Sequence, residues 1–174
     1  MAKYFYYLLI SLALVFLSQS VFSAFIPPQN INLLVVFLVF ATFAWGADLG
    51  FVFAVFIGLF MNLYSYLPLG TYIVIYLLIV ALVDYLHRQI FINFTFATNI
   101  ILILLSTILY DILLLAFNSI FHFLGLTQIY ISLDKIFWAD LFWQIIFNAL
   151  AIGLIFIFAK AIFQKLNLAI LAKR

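Results

Sequence analysis

Apolar runs of about twenty residues follow one another along this chain, separated by only a handful of charges. At ~1.5 Å of rise per residue, about twenty helical residues cross the ~30 Å hydrocarbon core of a bilayer. Of 174 residues, 71% are hydrophobic and 7% charged, too little polar surface for a water-soluble domain of this size. The pattern predicts one all-α integral membrane domain over 1–174, a compact bundle of about six transmembrane helices, with no polar stretch able to fold separately outside the lipid.

The first span covers 4–26, following Lys3 and stopping at Pro27 and Pro28. Ser20, Ser23 and Ala24 would also suit a cleaved signal peptide, but the run is longer and more aromatic than a typical signal core. From 31 to 67 the chain is apolar over too great a length for one helix. Trp45, Gly46, Ala47, Asp48, Leu49 and Gly50 interrupt it, so two helices over 31–45 and 48–67 are expected to meet in a tight turn near Asp48. A fourth span over 70–86 ends at His87 and Arg88, charges that are costly deeper in a bilayer. The fifth covers 95–117. The mixed stretch 118–137, with His122, Gly125, Gln128, Asp134 and Lys135, reads as a loop with an interfacial piece. The sixth span, 138–158, runs into the basic residues Lys160, Lys165, Lys173 and Arg174.

Cations gather in short cytoplasmic segments, which turns this count into an orientation. With six spans and cytoplasmic termini, Lys3, Arg88 and the four tail cations lie inside and Lys135 alone outside, accounting for all 7 Lys and Arg. A five-span chain would place Arg88 and the tail on the side opposite Lys3, against the rule. A multi-pass protein of an inner or plasma membrane is the expectation, with membrane lipids as its immediate partners.

Polar and small residues then show which helix faces avoid lipid. Gly46, Gly50, Ala54, Gly58 and Asn62 recur every four residues, a small-xxx-small row that lets helix backbones approach closely. Such a row drifts about 40° per step, so its two halves are expected to serve different neighbours, within the bundle or on a partner, with the third helix central. On the sixth helix Asp140, Gln144 and Asn148 share that spacing, followed by Ala149 and Gly153. Asp111, one turn beyond Thr107, is an intramembrane carboxylate and hence a candidate functional residue. It either lines a small polar cavity or grips a partner's helix together with Asn62, Asn148 and Tyr110, or else accepts hydrogen bonds inside the bundle. Asp84 and Arg88 form an i,i+4 pair at a helix end, and Asp48 is placed to cap the third helix.

Several classes of chemistry lack their residues. Cysteine is absent, removing disulfides, thiolate metal sites and thiol nucleophiles. The net charge of +2 without a basic aromatic patch does not suit nucleic acid. Neither His87 nor His122 has a second ligand at metal-binding spacing, and no nucleophile–base or paired-carboxylate arrangement stands out, so neither an enzyme nor a cofactor is expected.

Gly58, Leu59, Ser65, Pro68, Leu69 and Gly70, with Tyr85 and Leu86 closing the next helix, resemble the most recognisable segment of the MreD family of bacterial rod-shape-determining membrane proteins. Asn62 stands where that family usually has Asp, keeping hydrogen bonding without charge. The resemblance implies a non-enzymatic subunit of the cell-elongation machinery in the bacterial inner membrane. It also implies binding to the single-span protein MreC and, through it or directly, to RodA, a class B penicillin-binding protein and MreB. It further implies a fold similar to the S components of energy-coupling-factor transporters. That similarity supplies the second expectation, a small-molecule-binding transport subunit, although paired alanines are missing from the first helix. A lipid-modifying enzyme would need a His, Asp or Arg cluster that the sequence lacks.

Overall fold

A computed structural model describes residues 2–21, 31–90, 96–128, 131 and 133–171. The first span's expected stop at Pro27 and Pro28, and the tail residues Lys173 and Arg174, lie outside the described residues. Among the described residues there are six α-helices and no strand: α1 (Ala2–Phe16), α2 (Leu33–Trp45), α3 (Ala47–Tyr64), α4 (Thr71–Gln89), α5 (Phe96–Phe123) and α6 (Lys135–Leu171). The chain continues α1 as a π-helical turn over Leu17–Val21. α3, α4, α5 and the Lys135–Ile157 part of α6 are each long and apolar enough to cross a membrane, consistent with a membrane protein. α2, with 13 residues, is shorter.

Several boundaries differ from the sequence reading, those around the α5–α6 connection most usefully. α5 runs on to Phe123, and α6 begins at Lys135. His122 therefore ends a helix instead of starting a loop, because nothing in 118–123 breaks helical geometry before Gly125, which takes φ +70°.

α2, not α3, is the central helix. Leu34, Val35, Val36, Leu38, Val39 and Ala41 are all buried, so α2 is enclosed on all but the face of Leu33, Phe37, Phe40 and Ala44 and packs against α3, α4, α5 and α6. A helix apolar all round belongs in the interior, whereas α3 keeps Val55, Leu59 and Leu63 exposed. Asn32 starts α2 as its N-cap, its Oδ1 accepting from the Val35 amide at 3.2 Å.

The chain breaks between α2 and α3 at Gly46 alone, whose φ of +95° favours a residue without a Cβ. The amide of Gly46 still donates to the Thr42 carbonyl at 3.0 Å, and its own carbonyl accepts from Gly50 at 3.2 Å. No side chain caps α3. Asp48 instead sits within the first turn, where its charge complements the helix dipole, and it lies within electrostatic reach of Arg88. Arg88 pairs with Asp84 at 2.9 Å, closing α4 at the same end of the bundle.

Candidate functional site

The row of small residues on α3 is filled from inside the bundle. A Cβ on Gly58 would come within 2.6 Å of the Ile73 Cα and 2.7 Å of its nitrogen, so α3 and α4 touch backbone to backbone there. Gly50 faces Thr42 of α2 and Val80 of α4, and Ala54 is fully buried. Both halves of the row thus meet α4, with α2 added at Gly50. Gly46 stands apart: it forms the turn, with open space where a Cβ would be. On α6, a Cβ at Gly153 would lie 3.3 Å from the ring of Phe96, so this position also packs internally against α5.

The segment from Gly58 to Gly70 builds one hairpin. Asn62 donates from Nδ2 to the Gly58 carbonyl at 2.8 Å, and its Oδ1 accepts from the Tyr72 amide at 3.4 Å, tying the end of α3 to the start of α4. Ser65 accepts from the Leu67 amide at 3.0 Å. The Pro68 carbonyl accepts from Thr71 twice, from the hydroxyl at 2.7 Å and the amide at 3.2 Å. Gly70, at φ +96°, supplies the left-handed residue that starts α4. A neutral amide suits Asn62's place, since it must donate as well as accept in a buried position.

At the Pro68 end, α2, α5 and α6 are joined through Asn148, which is fully buried. Its Oδ1 accepts from the Asn32 amide at 2.9 Å, and its Nδ2 donates to the Thr107 hydroxyl at 3.0 Å. Asn148 is therefore a brace between three helices and does not line a cavity with Asp111. Of the residues grouped with Asp111 from the sequence, Tyr110 lines the cavity with it, whereas Asn62 bonds within the α3–α4 hairpin and Asn148 within its own brace.

Asp111, Asp140 and Gln144 do come together. With Asn32, Tyr110 and Ile131 they line a cavity of about 230 Å³ between the start of α2, the middle of α5 and the first turns of α6. Gln144 is 4% exposed, and Oδ2 of Asp111 is wholly buried with no hydrogen-bond partner. Ile131 is fixed over this space because its amide donates to Oδ1 of the fully buried Asn118 at 2.9 Å. Asp134 orients α6, accepting from the Phe137 amide at 3.0 Å. Below the cavity, Tyr110 stacks on Tyr76 with ring centres 6.1 Å apart, and Tyr76 in turn neighbours Tyr72 at 6.1 Å. Asn32, inside the span expected over 31–45, and Asn118, at the start of the mixed stretch, carry no signal in the sequence, and only their long-range partners reveal their roles.

An apolar groove of about 350 Å³ adjoins the cavity on the outer face of α5 and α6. It shares Asp111, Phe137 and Leu141 with the cavity and is otherwise walled by Ile108, Ile112, Leu115, Leu133 and Trp138. Among the described residues no group of three or more His, Cys, Asp or Glu side chains is placed to hold a metal ion. No protein-family model, curated protein or solved structure matches this chain.

Proposed function

We propose that this chain is a non-enzymatic, MreD-like subunit of the bacterial cell-elongation machinery. In this reading it is a multi-pass inner-membrane protein with cytoplasmic termini, and it holds an MreC-like single-span partner in register. Through that partner or directly it meets RodA, a class B penicillin-binding protein and MreB. The observation that supports the reading is the hairpin between α3 and α4. Gly58, Ser65, Pro68 and Gly70, four residues of the MreD-like segment, each serve that one structural unit. A motif tied to a rigid hairpin suits a subunit whose work is positional. Because the glycines of α3 and α6 are occupied by the bundle itself, the partner meets larger side chains on an outward face. The test is affinity purification from native membranes in mild detergent with mass spectrometry. Co-purified elongation proteins support this reading, and an ATPase-linked transport module in their place overturns it.

The cavity beside Asp111 favours a second reading, a small-molecule-binding subunit with a fold like the S components of energy-coupling-factor transporters. Its position between α2, α5 and α6 is the observation in its favour. The same purification separates the two readings.

A further inference from the structure

We propose that the acidic cavity and the apolar groove beside it form one binding site for an amphiphilic cation, with a protonated amine in the cavity and an apolar chain along the groove. This stands independently of whether the subunit is a scaffold or a transport component.

The charge of the occupant follows from the lining. Two carboxylates, Asp111 and Asp140, face the cavity with the Gln144 amide and Tyr110, and among the described residues no Lys, Arg or His lines it or the groove. Oδ2 of Asp111 is buried without a hydrogen-bond partner, so the surrounding protein does not compensate this oxygen. Carboxylates removed from water are stabilised by a paired, hydrogen-bonding cation. An ammonium group donates to several oxygens at once, which matches a wall of carboxylate, amide and hydroxyl acceptors.

The size of the occupant follows from the space. At about 230 Å³ the cavity is several times the ~30 Å³ share of one water molecule, room for a substituted ammonium and more than a bare ion fills. Among the described residues no third ionisable ligand joins the two carboxylates, which fall short of a dedicated metal cage.

Its shape follows from continuity. Asp111, Phe137 and Leu141 border both spaces, so a molecule seated on Asp111 extends directly between Ile112, Leu115 and Trp138. A phospholipid would place a phosphate against two carboxylates, which like-charge repulsion opposes. A single-chain amine meets no such penalty.

The test is native mass spectrometry of the full chain in non-ionic detergent with dodecylammonium, dodecanol or dodecyl sulfate at equal concentration. One dodecylammonium per chain should be retained, about thirtyfold or more over dodecanol, with no retention of the sulfate. An Asp111→Asn, Asp140→Asn double variant should lose that preference, and Ile112→Trp, at an exposed groove position, should weaken retention of the chain without unfolding the protein. Should the double variant not fold, Asp140→Asn alone, at a half-buried site, answers the same question. Equal retention of dodecanol, or undiminished dodecylammonium on the carboxylate variants, would overturn the proposal. Methylammonium binding as tightly as dodecylammonium would overturn the joining of cavity and groove.

Discussion

α3 with α4 and α5 with α6 are both antiparallel apolar pairs, yet they are joined on opposite plans. The first pair meets backbone to backbone at Gly58, and 39% and 44% of the residues in its two membrane windows are buried; for the second pair the figures are 28% and 22%. The second packs Gly153 against Phe96 at one end and is bridged by Asn148 with Thr107, while towards the Pro68 end Asn118 holds the loop residue Ile131. Backbone contact at Gly58 leaves no room between α3 and α4, whereas α5 and α6 leave a cavity where the first turns of α6 carry Asp140 and Gln144. The first pair is therefore built as a frame and the second as a receptacle.

Substitutions can break or sharpen this contrast. Gly58→Leu should have the largest effect, because the obstructing atoms are Ile73 backbone and cannot rotate away. A loss of about 3 kcal/mol or more is expected, seen as loss of monodisperse protein on size exclusion, and partner co-purification should fall with it. Asn148→Ala should come next, removing two bridges at once and lowering stability by about 1 to 3 kcal/mol in a detergent unfolding titration. An unchanged midpoint would show that α5 and α6 are not held by this brace. Gly50→Ala should cost about 1 kcal/mol, since it meets side chains of Thr42 and Val80 that can shift. Adding Thr42→Ala should restore part of that loss, and a purely additive double variant would argue against the contact. Arg88→Gln, breaking an ion pair whose Arg88 side chain is 70% exposed, should leave thermal stability unchanged.

The sequence reading reached the helices more readily than the site. Apolar run length placed the elements, and the break at Gly46 was visible as a Gly-rich interruption in a run too long for one helix. The four-residue row on α3 marked close packing, but spacing alone does not name the neighbour, and α2 rather than α3 proved central because its enclosure depends on four other helices. Asp140 and Gln144 were legible as one face of α6, and Asp111 as a carboxylate out of place in lipid. Their meeting is partly legible: the sequence groups Asp111 with Tyr110, Asn62 and Asn148, and Tyr110 lines the cavity with it while Asn62 and Asn148 bond elsewhere. Height along a helix can be read from residue number, but azimuth across three packed helices cannot. Asn32 and Asn118 were hidden for the same reason, since their partners Asn148 and Ile131 are set by tertiary contact.

Because the chain contains no cysteine, single-cysteine labelling in nanodiscs reads the frame and the receptacle directly. Gln144→Cys in the cavity and Ala54→Cys on α3 replace residues that are both buried, so exposure to bulk solvent does not separate them in advance. Rapid reaction of Gln144→Cys with a cationic methanethiosulfonate, slower reaction with its anionic analogue, and no reaction at Ala54→Cys are expected. Equal reactivity at the two positions, or faster labelling of Gln144→Cys by the anionic reagent, would contradict a closed frame beside an open acidic cavity.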